Sequence, residues 1–206
     1  NYELGWKTDL IDGQLRFNGS AFFVDISNLQ TQIFDPSITN LFFSANAANA
    51  EIYGLEADFT IAPYSLPGFS VTGAFSILDT EITEVLIPTD DVLVGSDLAY
   101  APPFQGNIRA RYEWDLSDTL EAYIQPQITY SDSKFTDVVE INKLELDSYT
   151  VFDLSVGIRA EQWRFEVFGE NLSDERAQIS GNFGNDRPRL VVNRPLTVGM
   201  RVGFDY

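Results

Sequence analysis

The chain has 206 residues, 44% hydrophobic and 14% aromatic, with 13 Lys and Arg against 31 Asp and Glu, a formal charge of −18 and a pI near 4.1. It is too apolar to be disordered, it offers no basic face for phosphates, so no nucleic-acid partner is expected, and it is long enough for one large or two small domains. With no Cys and no His, disulfide scaffolds, thiolate zinc sites, Cys nucleophiles and His-containing triads are excluded together, no cofactor is expected, and few enzyme classes remain, carboxylate-pair hydrolases among them.

Taken in order, the segments show a period of two, the mark of strands with two unlike faces. Tyr2, Leu4, Trp6 and Leu10 alternate with Glu3, Gly5, Lys7 and Asp9. Leu15, Phe17, Ala21 and Phe23 alternate with Arg16, Asn18 and Ser20, and Tyr53, Leu55, Ala57, Phe59 and Ile61 with Gly54, Glu56, Asp58 and Thr60. Further apolar faces follow at Val71, Phe75 and Ile77, at Ile108 to Trp114, and at Leu120 to Tyr130. The last three lie at Phe152 to Ile158, at Trp163 to Val167, and at Leu196, Val198, Met200, Val202, Phe204 and Tyr206. Nine long strands are expected. No apolar run reaches the ~18 residues of a spanning helix, no signal peptide opens the chain, and it starts at Asn1, so a mature or internal fragment is expected.

The links between strands alternate in length. Ile11 to Gly13, Pro63 to Gly68, Leu116 to Asp118 and Ala160 to Gln162 are short; Asp35 to Asn40, Glu81 to Pro103, Ser133 to Asp147 and Asp174 to Asn193 are longer. Seven of the 13 basic residues (Lys7, Arg16, Arg109, Arg111, Arg159, Arg164, Arg201) fall on polar strand faces and none on an apolar one. A lipid-facing surface requires that exclusion, because Arg or Lys at the midplane costs roughly 2–4 kcal/mol. Aromatics near strand ends (Trp6, Tyr112, Trp114, Tyr130, Trp163, Tyr206) suit an interfacial girdle. The fold expected is all-β, an antiparallel up-and-down transmembrane β-barrel. A soluble sandwich would exclude charge from its core equally, but gives no reason for alternating link lengths.

Asn1 to Lys7, the segment Asn49-Ala50-Glu51-Ile52-Tyr53-Gly54-Leu55-Glu56, the run Asp153 to Gly157, the stretch Phe168-Gly169-Glu170-Asn171-Leu172-Ser173-Asp174 and the closing Asn193-Arg194-Pro195 resemble, in order and spacing, the C-terminal barrel half of TonB-dependent outer-membrane receptors. The resemblance covers the whole chain. It implies residues 1–206 as one partial barrel domain from a barrel of about 22 strands, with the plug domain outside this chain, in the outer membrane of a Gram-negative bacterium. It also implies import of a scarce nutrient (ferric siderophore, vitamin or oligosaccharide), energised by the TonB complex acting through the plug. Phe204 and the terminal Tyr206 then serve as the signal for the barrel-assembly machinery. Two alternatives are a self-contained small barrel of adhesive or structural role, which would need a ladder between Tyr2–Asp9 and Leu196–Tyr206, and a soluble carboxylate-dependent hydrolase.

Several residues stand out. Arg176, Arg187 and Arg189 with Phe183 form the candidate contacts for an extracellular small-molecule ligand, since Arg forks suit carboxylate and phosphate. The acidic loops (Glu81, Glu84, Asp90, Asp91 and Asp97; Asp132, Asp137, Glu140, Glu145 and Asp147) read as solvated charge, because none has EF-hand spacing, and no metal site is assigned. Asp25, Glu51, Asp79 and Asp132 continue the apolar register just past Phe23, Tyr53, Ile77 and Tyr130, and are expected to mark the outer membrane rim, where lipid and lipopolysaccharide headgroups begin. Asn171 to Asp174 is expected to end a strand by bonding nearby amides. Gly157, Gly199 and Gly203 are expected to face the lumen and leave room for neighbouring side chains or for a plug. Pro126, mid-strand, is expected to bring a bulge or a lost ladder bond.

Overall fold

The computed structural model describes residues 1–35, 41–184 and 187–204. The strands are β1 (Tyr2–Leu10), β2 (Leu15–Asp35), β3 (Leu41–Ile61), β4 (Phe69–Val85), β5 (Phe104–Ser117), β6 (Leu120–Ser131), β7 (Lys134–Phe135), β8 (Glu145–Leu146), β9 (Tyr149–Ala160), β10 (Trp163–Glu170), β11 (Gln178–Gly184), β12 (Arg187–Val192) and β13 (Thr197–Phe204). Helical structure among the described residues is one 3-10 turn, Glu140–Asn142. Nine strands form a single antiparallel sheet, β1-β2-β3-β4-β5-β6-β9-β10-β13, while β7-β8 and β11-β12 are separate two-stranded ribbons. These nine are the strands read from the alternation. Their up-and-down order follows from tight turns, which allow only antiparallel neighbours.

The two faces separate rung by rung. Asp9, Arg16, Thr60, Thr72, Arg109, Gln127 and Asp153 are paired in sequence across seven strands. One residue along, Leu10, Leu15, Ile61, Val71 and Ala110 form an apolar rung on the other face. That apolar face lies open among the described residues, most of all on β13, where Val198, Met200 and Val202 are 69%, 70% and 68% exposed. A soluble sandwich would bury this face against a second sheet. Here one sheet turns it outward.

β1 and β13 are the two edges of the sheet, each paired on one side among the described residues. The ladder required for a self-contained small barrel is therefore not formed, which overturns that alternative.

Bends in the sheet come from specific residues. Gly68, at φ +81°, closes the turn before β4 so tightly that a Cβ would overlap the Glu113 carbonyl oxygen, and that conformation is costly for any L side chain. Its own carbonyl accepts the Glu113 N–H at 2.9 Å. The turn at Ile11 to Gly13 has three consecutive positive φ angles and is tied to the next short turn by the Tyr64 hydroxyl, which donates to the Asp12 carbonyl at 2.6 Å. Pro126 does not bulge its strand. The β5–β6 register runs through it unshifted, but Ala110 and Arg111 drop out of the ladder opposite Pro126 and Gln125, as a missing N–H dictates.

One expectation about the links needs correction. Glu81 and Glu84 belong to β4, so the second long link begins only after Val85. β2 and β3 are 21 residues each, about twice the 9–11 that cross a bilayer. The β2–β3 register shifts between Ile26 and Leu29 and again between Leu29 and Gln30, with Asn28 at φ 62° and its N–H held by the Asn49 side chain at 3.0 Å. These shifts interrupt the alternation while pairing continues. Beyond them lies the buried core: Ile33, Ala47, Ala48, Ile82, Val92, Val138 and Val139 join the strand extensions to the links after β4 and β6. Those links are thus packed on apolar contacts beneath their acidic surface.

Candidate functional site

A connected polar network crosses the polar face. The Arg111 Nε donates to Glu113 at 2.6 Å and its NH1 to Gln125 at 3.1 Å, while its guanidinium lies 3.8 Å over the Tyr123 ring. The Tyr123 hydroxyl donates to Glu166 at 2.5 Å. Glu166 also accepts from Arg201, which reaches Glu170 at 3.5 Å, and Glu170 accepts from Arg194 at 3.3 Å. Nearer β1, a groove of about 890 Å³ is lined by Glu3, Asn18, Glu56, Asp58, Ser76 and Gln105. The glycines Gly157, Gly199 and Gly203 lie beneath Tyr123, Phe168 and Arg164 respectively.

At one end of the sheet Asn171 shapes the longest excursion. It is buried, at φ 53°. Its Oδ1 accepts the Glu175 N–H at 2.9 Å, and its Nδ2 donates to the Glu175 and Arg194 carbonyls, each at 2.9 Å. Asp174 accepts the Leu196 N–H at 3.0 Å. One side chain therefore clamps the departing and returning chain together. From that base rises the β11–β12 hairpin, held at its side by the Tyr100 hydroxyl, which donates to the Gly181 carbonyl at 3.1 Å, and by Gln178 donating to Asp147 at 3.2 Å. Lys134, in the neighbouring excursion, has its pKa lowered by burial.

The structure only partly assembles the four ligand candidates. Arg187 lies opposite Gly184 and Arg189 opposite Asn182, so the two arginines share one face of the hairpin. Phe183, opposite Pro188, points to the other face. Arg176 sits at the hairpin base, 3.7 Å from Asp174. Arg187 and Arg189 are exposed and, among the described residues, have no salt bridge. The Tyr100 clasp and the apolar core beneath the excursions had no periodic signature in the sequence.

The rim candidates fall on three successive outward rungs. Asp25 is opposite Glu51, which is opposite Glu81; Asp79 is opposite Tyr53; Asp132 donates its N–H to Phe104, the partner of Ile77. Strand tilt of ~35–45° makes a horizontal level cross successive rungs, so a slanted line is compatible with one level. Glu51 and Asp132 each accept a phenol from the tyrosine two residues below, at 3.2 and 2.5 Å. Phe204 ends β13 opposite Trp163; Tyr206 lies outside the described residues.

An open antiparallel sheet with an apolar exposed face, a networked polar face, tight turns at one end and packed excursions at the other is a segment of a membrane β-barrel. Residues 1–172 match the TonB dependent receptor-like β-barrel family, and the chain belongs to that family. The metal-pseudopaline receptor CntO of Pseudomonas aeruginosa is 28% identical over 153 residues, 74% of this chain and 20% of the receptor. The ferric yersiniabactin uptake receptor FyuA from Yersinia pestis shares the fold with a TM-score of 0.81 at 18% identity, over 100% of this chain and 29% of that one. The siderophore receptor PiuA from Acinetobacter baumannii does so with a TM-score of 0.76 at 18% identity, over 99% and 28%. The chain thus spans a fifth of its curated relative's length and under a third of these structures'. TonB-dependent receptors are outer-membrane β-barrels and transport receptors rather than enzymes.

Proposed function

We propose that residues 1–206 supply nine strands of the barrel of an outer-membrane importer for an anionic metal chelate of the ferric-siderophore class. The rest of the protein provides the remaining strands and a plug that the TonB complex pulls. The observation that carries the ligand class is the pair Arg187 and Arg189, exposed on one face of a hairpin and without a salt bridge among the described residues, in a chain of net charge −18. Guanidinium forks bind carboxylate, catecholate and phosphate oxygens at short range. The names of the relatives, receptors for metal-pseudopaline, ferric yersiniabactin and a siderophore, support the same class. Phe183 and Arg176 serve the hairpin's other face and its base. The carboxylates Asp25, Glu51, Asp79 and Asp132 mark the outer rim, where the barrel meets lipid and lipopolysaccharide, and Phe204 and Tyr206 serve as the signal for the assembly machinery.

The test is uptake by cells carrying the complete receptor, with radiolabelled ferric siderophores, cobalamin and oligosaccharides offered separately. The paired change Arg187→Ala and Arg189→Ala is expected to lower uptake of a ferric chelate about tenfold or more, the loss of one to two charged hydrogen bonds, with receptor abundance unchanged. Uptake of cobalamin or an oligosaccharide, with none of any ferric chelate, would refute the chelate assignment.

A further inference from the structure

On the polar face, every glycine that has a strand on the side of the preceding sheet neighbour lies directly opposite a bulky residue of that neighbour. Gly54 of β3 is paired with Phe22 of β2, Gly157 of β9 with Tyr123 of β6, and Gly199 and Gly203 of β13 with Phe168 and Arg164 of β10. In each case the partner's ring or stem occupies the space a Cβ would take. On the apolar face Gly19 lies under Trp6 and Gly73 under Phe59 in the same way, whereas Gly106 meets only the Cβ of its partner Phe75 at 3.1 Å and Gly169 meets Leu172 rather than its partner Leu154. Side chains thus lean toward the next strand, and glycine lets them lie flat. An aromatic laid on a glycine shields its backbone and fixes register.

Gly5 of β1 breaks the series. It shares the polar face with Glu3 and Lys7, yet the nearest atom to a Cβ there is the Gly19 carbonyl oxygen at 3.7 Å, and among the described residues no side chain comes within 4 Å. Its strand is also a sheet edge, with β2 on one side only among the described residues. We infer that in the complete barrel the strand flanking the free edge of β1 places a large side chain, an aromatic ring or an arginine stem, directly opposite Gly5 and flat upon it. This interface rests on the reading of the chain as part of a larger barrel. It makes Gly5 the receiving half of a seam, and gives that seam a register mark.

The experiment uses the complete receptor. Its structure identifies the residue paired with Gly5, and Gly5→Leu and Gly5→Ala are made with and without truncation of that residue to alanine; Glu3→Leu, on the same face, is the control. The expected result is an aromatic or arginine partner, a fall in the unfolding midpoint and in the folded, heat-modifiable fraction for Gly5→Leu, a smaller fall for Gly5→Ala, and relief of both by the truncation. A small residue opposite Gly5, a plug segment lying on it, or a Gly5→Leu effect no larger than that of Glu3→Leu would overturn the inference. If no strand flanks β1 at all, the barrel reading itself fails, which is a separate outcome.

Discussion

Tyr123 and Glu166 stand on strands that are not neighbours in the sheet, yet the phenol donates to the carboxylate at 2.5 Å. Between them lies Gly157, paired with Tyr123 on one side and with Glu166 on the other. The bond exists because the middle residue has no side chain. Gly157→Val should therefore cost about 2–3 kcal/mol by overpacking, and should do so mainly through Tyr123. Tyr123→Phe alone should cost about 1 kcal/mol, since Glu166 keeps Arg201 and the site is partly solvated. Urea unfolding midpoints of the two single variants and the double variant check this; strict additivity would contradict it.

A second prediction concerns the turn into β4. At Gly68 the backbone has φ +81° and the Glu113 carbonyl oxygen sits where a Cβ would go. Alanine there should cost about 2 kcal/mol or more, from left-handed backbone strain plus displacement of a backbone group that cannot swing aside. Gly95, also at positive φ (+86°) but with only the end of the Glu81 side chain at 4.0 Å, should tolerate alanine better. Equal losses in thermal midpoint at both positions would refute the steric part of the argument.

Asn171 carries the third. Its side chain makes three hydrogen bonds to backbone groups from a buried position. Asn171→Ala strands those groups and should destabilise the base of the hairpin by about 2–4 kcal/mol, with the sheet left intact. Limited proteolysis should then cut within residues 171–196 well before the sheet strands. An unchanged cleavage pattern would show that Tyr100 and Gln178 suffice to hold the hairpin.

How much of this was legible in the sequence follows from period and parity. Val198, Met200 and Val202 alternate without interruption, and the strand they form is where the alternation placed it. The strand extensions past Asn28 carry no clean alternation in the sequence, because the β2–β3 register shifts there, and although the link was placed at Asp35 to Asn40 the packing of Ile33 into a core could not be read. Leu172 and Asp174 show the same limit at the site: the capping role of the motif could be read from residue type, but the bond from Asn171 to the Arg194 carbonyl spans 23 positions. Arg187, Arg189 and Phe183 were grouped by nearness in sequence; strand pairing sends the first two to one face and the third to the other.

The central claim is that the apolar face meets lipid while the polar face lines a lumen. β13 tests it most directly, since these 206 residues contain no cysteine and single labels can be introduced once any cysteine elsewhere in the receptor is replaced. Spin labels at Thr197, Val198, Met200, Arg201 and Val202 of the complete receptor in a bilayer should report alternating accessibility. Val198, Met200 and Val202 should collide with lipid-dissolved oxygen and be shielded from an aqueous nickel chelate, with Thr197 and Arg201 not sharing that oxygen exposure. Access of the aqueous chelate to Val198, Met200 and Val202, or no alternation at all, would contradict the account.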